Sequence, residues 1–238
     1  MKLLRIHYSY IVNIINVIII SLLIVIAGIV FFINIKTDVN YNNFFFRKEL
    51  AITYKETIIL YFKLIVIIMF SYIAGSSFSM HNNSYHLLIV NYHKNRFKFF
   101  ITKLLLIYLI FFITCFFIYF IYALMARLVS NWYYFNIDDL KLFFSLFLST
   151  LVYINLAVIF TIIMPFSFSS FIPALLFVFM ELIADIGNID NLIHIMELVL
   201  PIMKESYHNY SYYGLLHLGL LNIIYGNLAS IIYLFRHY

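Results

Sequence analysis

The sequence predicts an all-α protein: a bundle of six membrane-spanning helices, with a short cytoplasmic helix between the second and third spans. Three observations predict this fold. Hydrophobic residues make up 65% of the chain and charged residues only 11%, whereas ordinary soluble domains carry about 25% charged residues. The apolar runs are long enough to cross a bilayer, which takes about 20 residues. These runs are also unbroken, as in 14–33 and 104–124, whereas the strands of a membrane barrel alternate apolar and polar residues.

The predicted spans leave only short loops between them, so we treat 1–238 as a single transmembrane domain without a separate catalytic domain. The apolar runs cover about residues 10–35, 57–79, 104–127, 141–164, 170–186 and 212–235. The connection between the fourth and fifth runs, Pro165 to Ser170, is very short. We therefore expect these two helices to be antiparallel neighbours.

The distribution of basic residues predicts the orientation. If the N-terminus is cytoplasmic, the inner segments contain no acidic residue and seven basic ones, which are Lys2, Arg5, Lys94, Arg96, Lys98, Lys103 and Arg236. The outer segments also contain seven basic residues, so the total count is balanced. The dense cluster at 94–103 nevertheless lies next to helix ends, where positive charge favours the cytoplasmic side. We expect a cell-membrane protein with both termini in the cytoplasm.

The inner loop at 75–106 carries the most specific pattern in the chain. It begins with residues whose side chains cap helices, Asn82, Asn83 and Ser84. An apolar patch follows, which predicts a short interfacial helix: Tyr85, Leu87, Leu88, Ile89 and Val90. Basic residues then alternate with phenylalanines before Lys103 opens the third span. A juxtamembrane basic cluster of this kind also attracts anionic lipid, at about 1 kcal/mol per charge.

The order of these elements resembles the membrane subunits of type-2 ABC exporters. Those subunits have six transmembrane helices, and both termini lie in the cytoplasm. Their inner helix carries a glycine and threonine, a leucine-rich turn, a proline, an arginine, and then a lysine that opens the third span. The matching residues are Ser84 near the threonine, Leu87 and Leu88 at the leucine-rich turn, Lys94 and Arg96 near the arginine, and Lys103 at the lysine. Two positions depart from the pattern, since Asn83 replaces the glycine and Tyr92 or His93 replaces the proline.

The resemblance implies a function and a set of partners. The inner helix would be the coupling helix that rests in a groove of an ATPase subunit, formed by Ser84, Tyr85, Leu87, Leu88, Ile89 and Tyr92. The chain would be the permease subunit of an ATP-driven exporter, paired with a second permease subunit, either identical or different. ATP and magnesium would be bound by the partner ATPase. Membrane lipids are the other expected partner, and no nucleic acid is expected.

The glycines of the chain agree with an ATPase on a separate subunit. None of the six belongs to a phosphate-binding loop that ends in Gly-Lys, so we expect no enzymatic activity of the chain itself. The alternative is a stand-alone membrane protein without an ATPase, such as a peptide-immunity factor or a membrane enzyme. The His-Glu-x-x-His pattern of a zinc protease is absent from the sequence. The apolar helices favour an amphipathic or lipophilic cargo, such as a peptide, a drug or a lipid-like molecule.

Polar side chains within the predicted spans are the remaining candidates for function, because such residues are costly in a membrane. We consider four of them as a candidate substrate path: Lys63, Asn155, Glu181 and Asp185. Lys63 could instead extend its ammonium to the headgroups. Glu181 and Asp185 share one helix face, and could instead pair with Lys63 or Arg127.

The asparagines of the predicted spans form a second group. They should point inward or toward a second subunit, and most should serve packing, as interhelical amides do. They are Asn13, Asn16, Asn155, Asn222 and Asn227. No helix carries a pair of histidines at metal-binding spacing, so no metal site is predicted.

Overall fold

The computed structural model describes residues 11–36, 44–79, 96–129, 137–164, 166–176, 178–179, 198–201 and 212–235. All regular secondary structure in these residues is helical, which confirms the predicted all-α class. The elements are α1 (Ile14–Lys36), α2 (Phe44–Tyr61), a π-helical turn (Phe62–Val66), α3 (Ile67–Phe78), α4 (Arg96–Val129), α5 (Ile137–Ile163), a 3-10 turn (Ser167–Phe171) and α6 (Tyr212–Phe235). The elements α2, π turn and α3 follow one another without a break and form one span.

Within the described residues, 5 helical stretches are long and apolar enough to cross a bilayer. They are Ile14–Ile35, Ala51–Phe78, Arg96–Leu128, Ile137–Ile163 and Tyr212–Phe235. The chain is therefore a membrane protein built from transmembrane helices. The predicted fifth helix, 170–186, lies largely outside the described residues, and its described part belongs to the shorter apolar helix Ser167–Leu176. A total of six spans stays a prediction.

Several helices begin earlier than the sequence pattern predicted. The second span was expected from 57 but is helical from Phe44, the third from 104 but begins at Arg96, and the fourth from 141 but begins at Ile137. Hydropathy marks only the part of a helix that lies in hydrocarbon, whereas the backbone hydrogen bonds continue into polar residues that favour the helix. The predicted last helix, 212–235, agrees with α6.

The second span, α2 to α3, is antiparallel to α4. Along α4, Lys103 contacts Ser77, the Phe111 ring lies 4.7 Å from that of Phe70, and the Tyr122 ring lies 4.4 Å from that of Tyr54. Residue numbers rise along α4 while they fall along its partner, so the two spans run in opposite directions. We name the two ends of the bundle by their buried charges, the Lys103 end and the Asp139 end. In the predicted orientation the Lys103 end is cytoplasmic.

An aromatic cluster joins α1, α2 and α4 in the half of the bundle nearer the Asp139 end. The Phe31 ring makes edge contacts with Tyr54, Tyr61 and Tyr122, at centroid distances of 6.3, 5.6 and 5.4 Å. The hydroxyl groups are satisfied as well, because Tyr54 donates to the carbonyl of Tyr122 at 2.8 Å and Tyr61 donates to the carbonyl of Leu23. Aromatic pairs contribute about 0.5–1.5 kcal/mol each beyond the area they bury. The cluster therefore fixes α1 against the rest of the bundle.

At the Lys103 end, α3 approaches the 3-10 turn very closely at Gly75. A Cβ atom on Gly75 would lie 2.2 Å from the Cβ and 2.5 Å from the Oγ of Ser170. The Oγ1 of Thr161 would lie only 3.0 Å away. Residue 75 must therefore lack a side chain if α3, α5 and the 3-10 turn are to pack as they do.

Replacing Gly75 with alanine should loosen this contact. We expect the Gly75→Ala variant to unfold at a lower temperature in detergent, with a loss of about 1–3 kcal/mol, the usual cost of overpacking. Gly219→Ala is the matched control, because nothing lies within 4 Å of a Cβ there and alanine favours a helix by about 0.5–1 kcal/mol over glycine. Equal melting temperatures for Gly75→Ala and the parent, measured by loss of the monodisperse peak after heating, would contradict the close packing.

Candidate functional site

A buried lysine ties the start of α4 to the end of α3. The side chain of Lys103 is 1% exposed. Its ammonium donates a hydrogen bond to the carbonyl of Ser77 and lies 4.9 Å from the ring centre of Phe78. Carbonyls in the last turn of a helix lack intrahelical partners, and that end carries the negative pole of the helix dipole. Lys103 supplies the cation that this helix end favours, and a cation–π contact adds to it.

Contacts around Lys103 extend to α6 and to the 3-10 turn. The Phe100 ring lies 5.3 Å from that of Phe78 and 5.0 Å from that of Tyr233. On the other side, the hydroxyl groups of Ser79 and Ser167 are 3.2 Å apart. We call the group Lys103, Ser77, Phe78, Phe100 and Tyr233 the Lys103 joint. It holds together the described residues that precede and follow the segment 80–95.

This burial corrects one sequence-based expectation. Lys103 was grouped with Lys94, Arg96 and Lys98 as a basic residue at the membrane surface. Because α4 begins at Arg96, Lys103 lies about two turns inside the helix and points into the bundle. Arg96 is half-buried and Lys98 is exposed, as expected for surface residues, and Lys94 lies outside the described residues.

A network of side-chain amides joins α4, α5 and α6 near the middle of the bundle. Asn155 is fully buried and accepts a hydrogen bond from the hydroxyl of Tyr108. Its amide donates to the Oδ1 of Asn222 at 3.1 Å. The Asn222 amide donates in turn to the carbonyls of Leu148 and Leu218, both at 2.9 Å. Hydrocarbon offers no other partner for these groups, so the arrangement favours the packing interpretation of Asn155 and Asn222 over a substrate path.

A groove lies between α4 and α6, and Tyr108 and Asn222 of this network belong to its lining. It encloses about 320 Å³. Its lining is mostly apolar, and consists of Phe100, Ile101, Leu104, Leu105, Tyr108, Leu151, Asn222, Ile223, Gly226, Asn227 and Ser230. Asn227 is exposed, so of the two predicted directions it does not take the inward one, and the direction toward a second subunit stays a prediction. Within the described part of the chain its side-chain amide has no hydrogen-bond partner.

The first two asparagines bond to backbone groups near the start of α1. Asn13 is exposed, and its Oδ1 accepts a hydrogen bond from the backbone N–H of Asn16 at 2.7 Å, which caps the start of α1. Asn16 is buried, and its side chain donates to the carbonyl of Ile11 at 2.7 Å. Asn16 therefore points inward, as predicted, but its partner is a backbone carbonyl just before α1 and not a neighbouring span. Asn13 does not point inward, because the free N–H groups at the start of α1 offer its side chain a nearby donor.

A second buried charge lies at the opposite end of the bundle. Asp139 is 1% exposed, and its Oδ1 lies 2.9 Å from the Nζ of Lys55, which is 22% exposed. Asp139 belongs to the first turn of α5, where the helix dipole favours a carboxylate. The pair joins α2 to α5. Both residues lie outside the predicted spans, so the hydropathy pattern does not mark them as a pair. Their opposite charges on the same predicted side are the signal that points to it.

Of the other members of the candidate substrate path, Lys63 alone lies within the described residues. Lys63 lies in the π-helical turn, about 18 Å along the span from Ala51 at about 1.5 Å per residue. It is therefore deeper than expected from a span starting at 57, which weakens the interpretation that it extends to the headgroups. Glu181 and Asp185 lie outside the described residues. The predicted coupling-helix residues do too, namely Ser84, Tyr85, Leu87, Leu88, Ile89 and Tyr92.

Comparison with protein-family models, with curated proteins and with solved structures found no match to this chain. Among the described residues, no three His, Cys, Asp or Glu side chains come together in a way that could hold a metal ion. The structural features that stand out are thus the Lys103 joint, the amide network with its groove, and the pair of Lys55 and Asp139.

Replacing Lys55 should destabilise the protein far more than replacing a surface lysine. Lys55→Met leaves Asp139 buried without its lysine, and breaking a buried pair in this way costs about 3–5 kcal/mol. Lys141→Met is the matched control, because Lys141 pairs at 3.3 Å with Asp138, which is 57% exposed, and such surface pairs contribute about 0–1 kcal/mol. Denaturation in mild detergent measures both. The double variant Lys55→Met with Asp139→Asn should recover part of the loss. Similar stability of the two single variants would show that the buried pair contributes little.

Proposed function

We propose that this chain is the permease subunit of an ATP-driven ABC exporter that moves an amphipathic or lipophilic cargo. In this proposal two permease subunits form the transport path. Two ATPase subunits, which bind ATP and magnesium, supply the energy, since the chain contains no nucleotide-binding motif. The segment 84–92 is the coupling helix that contacts the ATPase. The complex lies in the cell membrane with the Lys103 end facing the cytoplasm.

The observation that supports the proposal best is the Lys103 joint. A coupling helix works only if a displacement of the helix moves the membrane spans rather than the loop alone. The residues that border the segment 80–95 are Ser79 and Arg96. Within two turns of them, the ammonium of Lys103 is hydrogen-bonded to the carbonyl of Ser77. A displacement of the segment would therefore be transmitted to α3 and α4 together.

From this joint, the contacts lead to the rest of the bundle. Phe100 and Tyr233 carry displacement to α6. The close approach of Gly75 to Ser170 carries it to the 3-10 turn and to α5. Packed elements of this kind shift as rigid bodies rather than deform. The arrangement thus supports a role in which events at one cytoplasmic segment reorient several spans.

The test is retention of an ATPase by variants of the segment 84–92. The tagged chain is expressed together with its flanking genes and purified in mild detergent. The parent should retain a Walker-motif ATPase and show ATP hydrolysis. Leu88→Asp should reduce retention at least about tenfold while membrane insertion is unchanged, because a buried charge at a protein contact costs more than about 1.4 kcal/mol.

Neutralising the basic residues provides the control. The triple variant Lys94→Gln, Arg96→Gln and Lys98→Gln should keep the ATPase, because these charges face lipid rather than the partner in our proposal. If the parent retains no ATPase, or if Leu88→Asp retains as much as the parent, the proposal is wrong. The stand-alone membrane protein would then be the better interpretation.

A further inference from the structure

The groove between α4 and α6 has the dimensions of one leaflet of a bilayer. Its lining along α4 runs from Phe100 to Tyr108, and Lys98 precedes this lining by two residues. From Phe100 to Tyr108 the helix rises by about 12 Å, a little less than half of a hydrocarbon core of about 30 Å. The groove therefore begins near one membrane surface and ends near mid-depth.

One residue of the groove lining has no side chain. Gly226 belongs to its lining on α6, and the nearest atom to a Cβ placed there would be the Tyr108 hydroxyl at 3.9 Å. Isoleucine and leucine side chains line the walls, among them Ile101, Leu105 and Ile223. The polar atoms of Tyr108 and Asn222 are already hydrogen-bonded inside the bundle, so these residues present mainly carbon atoms to the groove.

Two basic residues precede the groove lining along α4. In the first turn of α4, Arg96 and Lys98 flank Phe97, which is 45% exposed and lies one turn before Ile101 and Phe100. Lys98 precedes Ile101 by three residues and Leu105 by seven, so all three lie on adjoining parts of the helix surface. Within the described part of the chain, neither Arg96 nor Lys98 has a carboxylate partner. An apolar channel that ends at two unpaired cations matches an apolar chain that ends in an anion.

We infer that this groove binds one acyl chain of an anionic phospholipid from the adjacent leaflet. The chain lies between α4 and α6 against Gly226, and the phosphate group lies at Arg96 and Lys98. Electrostatic attraction contributes about 1 kcal/mol per basic residue near the surface. Such a lipid would sit beside the Lys103 joint, where Phe100 is shared by the groove and the joint. The inference does not depend on an ATPase partner.

The first measurement is native mass spectrometry of the purified full-length chain after exchange into detergent with added lipid. With dioleoyl phosphatidylglycerol as the probe, the parent should retain one lipid per chain, and with dioleoyl phosphatidylcholine much less. Replacing Arg96 and Lys98 with glutamine should lower the phosphatidylglycerol-bound fraction about fivefold for each charge, since 1.4 kcal/mol corresponds to tenfold. Equal retention of the two lipids by the parent would overturn the charge assignment and with it the proposal.

The second measurement fills the groove. Gly226→Leu should abolish retention of phosphatidylglycerol, and Gly226→Ala should reduce it, because their side chains occupy the channel. Gly219→Leu is the matched control on the same helix, where nothing lies within 4 Å of an added Cβ, and it should retain lipid like the parent. If Gly226→Leu fails to yield folded protein, Gly226→Ala decides, and retention equal to that of the parent would refute the site.

A substitution at Asn227 distinguishes a bound lipid from other possible occupants of the groove. An acyl chain cannot form a hydrogen bond with the exposed amide of Asn227. The Asn227→Leu variant should therefore retain phosphatidylglycerol as well as the parent does. A second copy of the chain or a cargo with carbonyl groups would instead use the amide as a hydrogen-bond partner. If Asn227→Leu loses the bound molecule while Gly226→Leu keeps it, the lipid assignment is wrong.

Discussion

The ammonium of Lys103 on the carbonyl of Ser77 is the interaction on which the rest of the arrangement depends. A charge inside a membrane bundle is stable only where the protein supplies acceptors, because hydrocarbon supplies none. The last turn of α3 provides acceptors that no other residue of its own helix can use. The same contact therefore satisfies a buried cation and a helix end. It also fixes the distance between the two helices that precede and follow the segment 80–95 in the chain.

The same constraint explains where the other polar groups lie. Asp139 is buried at the start of α5 beside Lys55, where a helix dipole and a cation both favour it. Asn155 and Asn222 bond to each other and to backbone carbonyls, so they fasten α5 to α6. Between these polar contacts, the helices pack through aromatic rings such as Phe111, which stacks on Phe147 at 5.2 Å. The result is a bundle fastened at both ends and at mid-depth, with a lipid-facing exterior of isoleucine, leucine and phenylalanine.

The sequence predicted the all-α class and the location of most spans, because composition and the length of apolar runs depend only on the hydrocarbon thickness. The last helix, 212–235, was placed correctly since polar residues flank the apolar run on both sides. The helix starts at Phe44 and Arg96 could not be read from hydropathy, because backbone hydrogen bonds extend past the hydrophobic segment. The burial of Lys103 was not predictable from spacing either, since a lysine at a predicted helix boundary looks the same whether it faces lipid headgroups or a neighbouring helix end. The sequence predicted that asparagines within the spans form hydrogen bonds between helices. Which asparagines take part depends on the packing of three helices.

The distance between α3 and α4 tests the Lys103 joint most directly. Nitroxide labels at Met69 and Phe97, which are 38% and 45% exposed, would be introduced after Cys115, the single cysteine, is replaced by serine. Double electron–electron resonance on the reconstituted chain should give one narrow distance distribution. Lys103→Met should broaden or lengthen it, while Lys98→Met, which removes an exposed charge from the same helix, should leave it unchanged. An identical narrow distribution in the Lys103→Met protein would show that other contacts hold the two helices together, and would contradict the role assigned to Lys103.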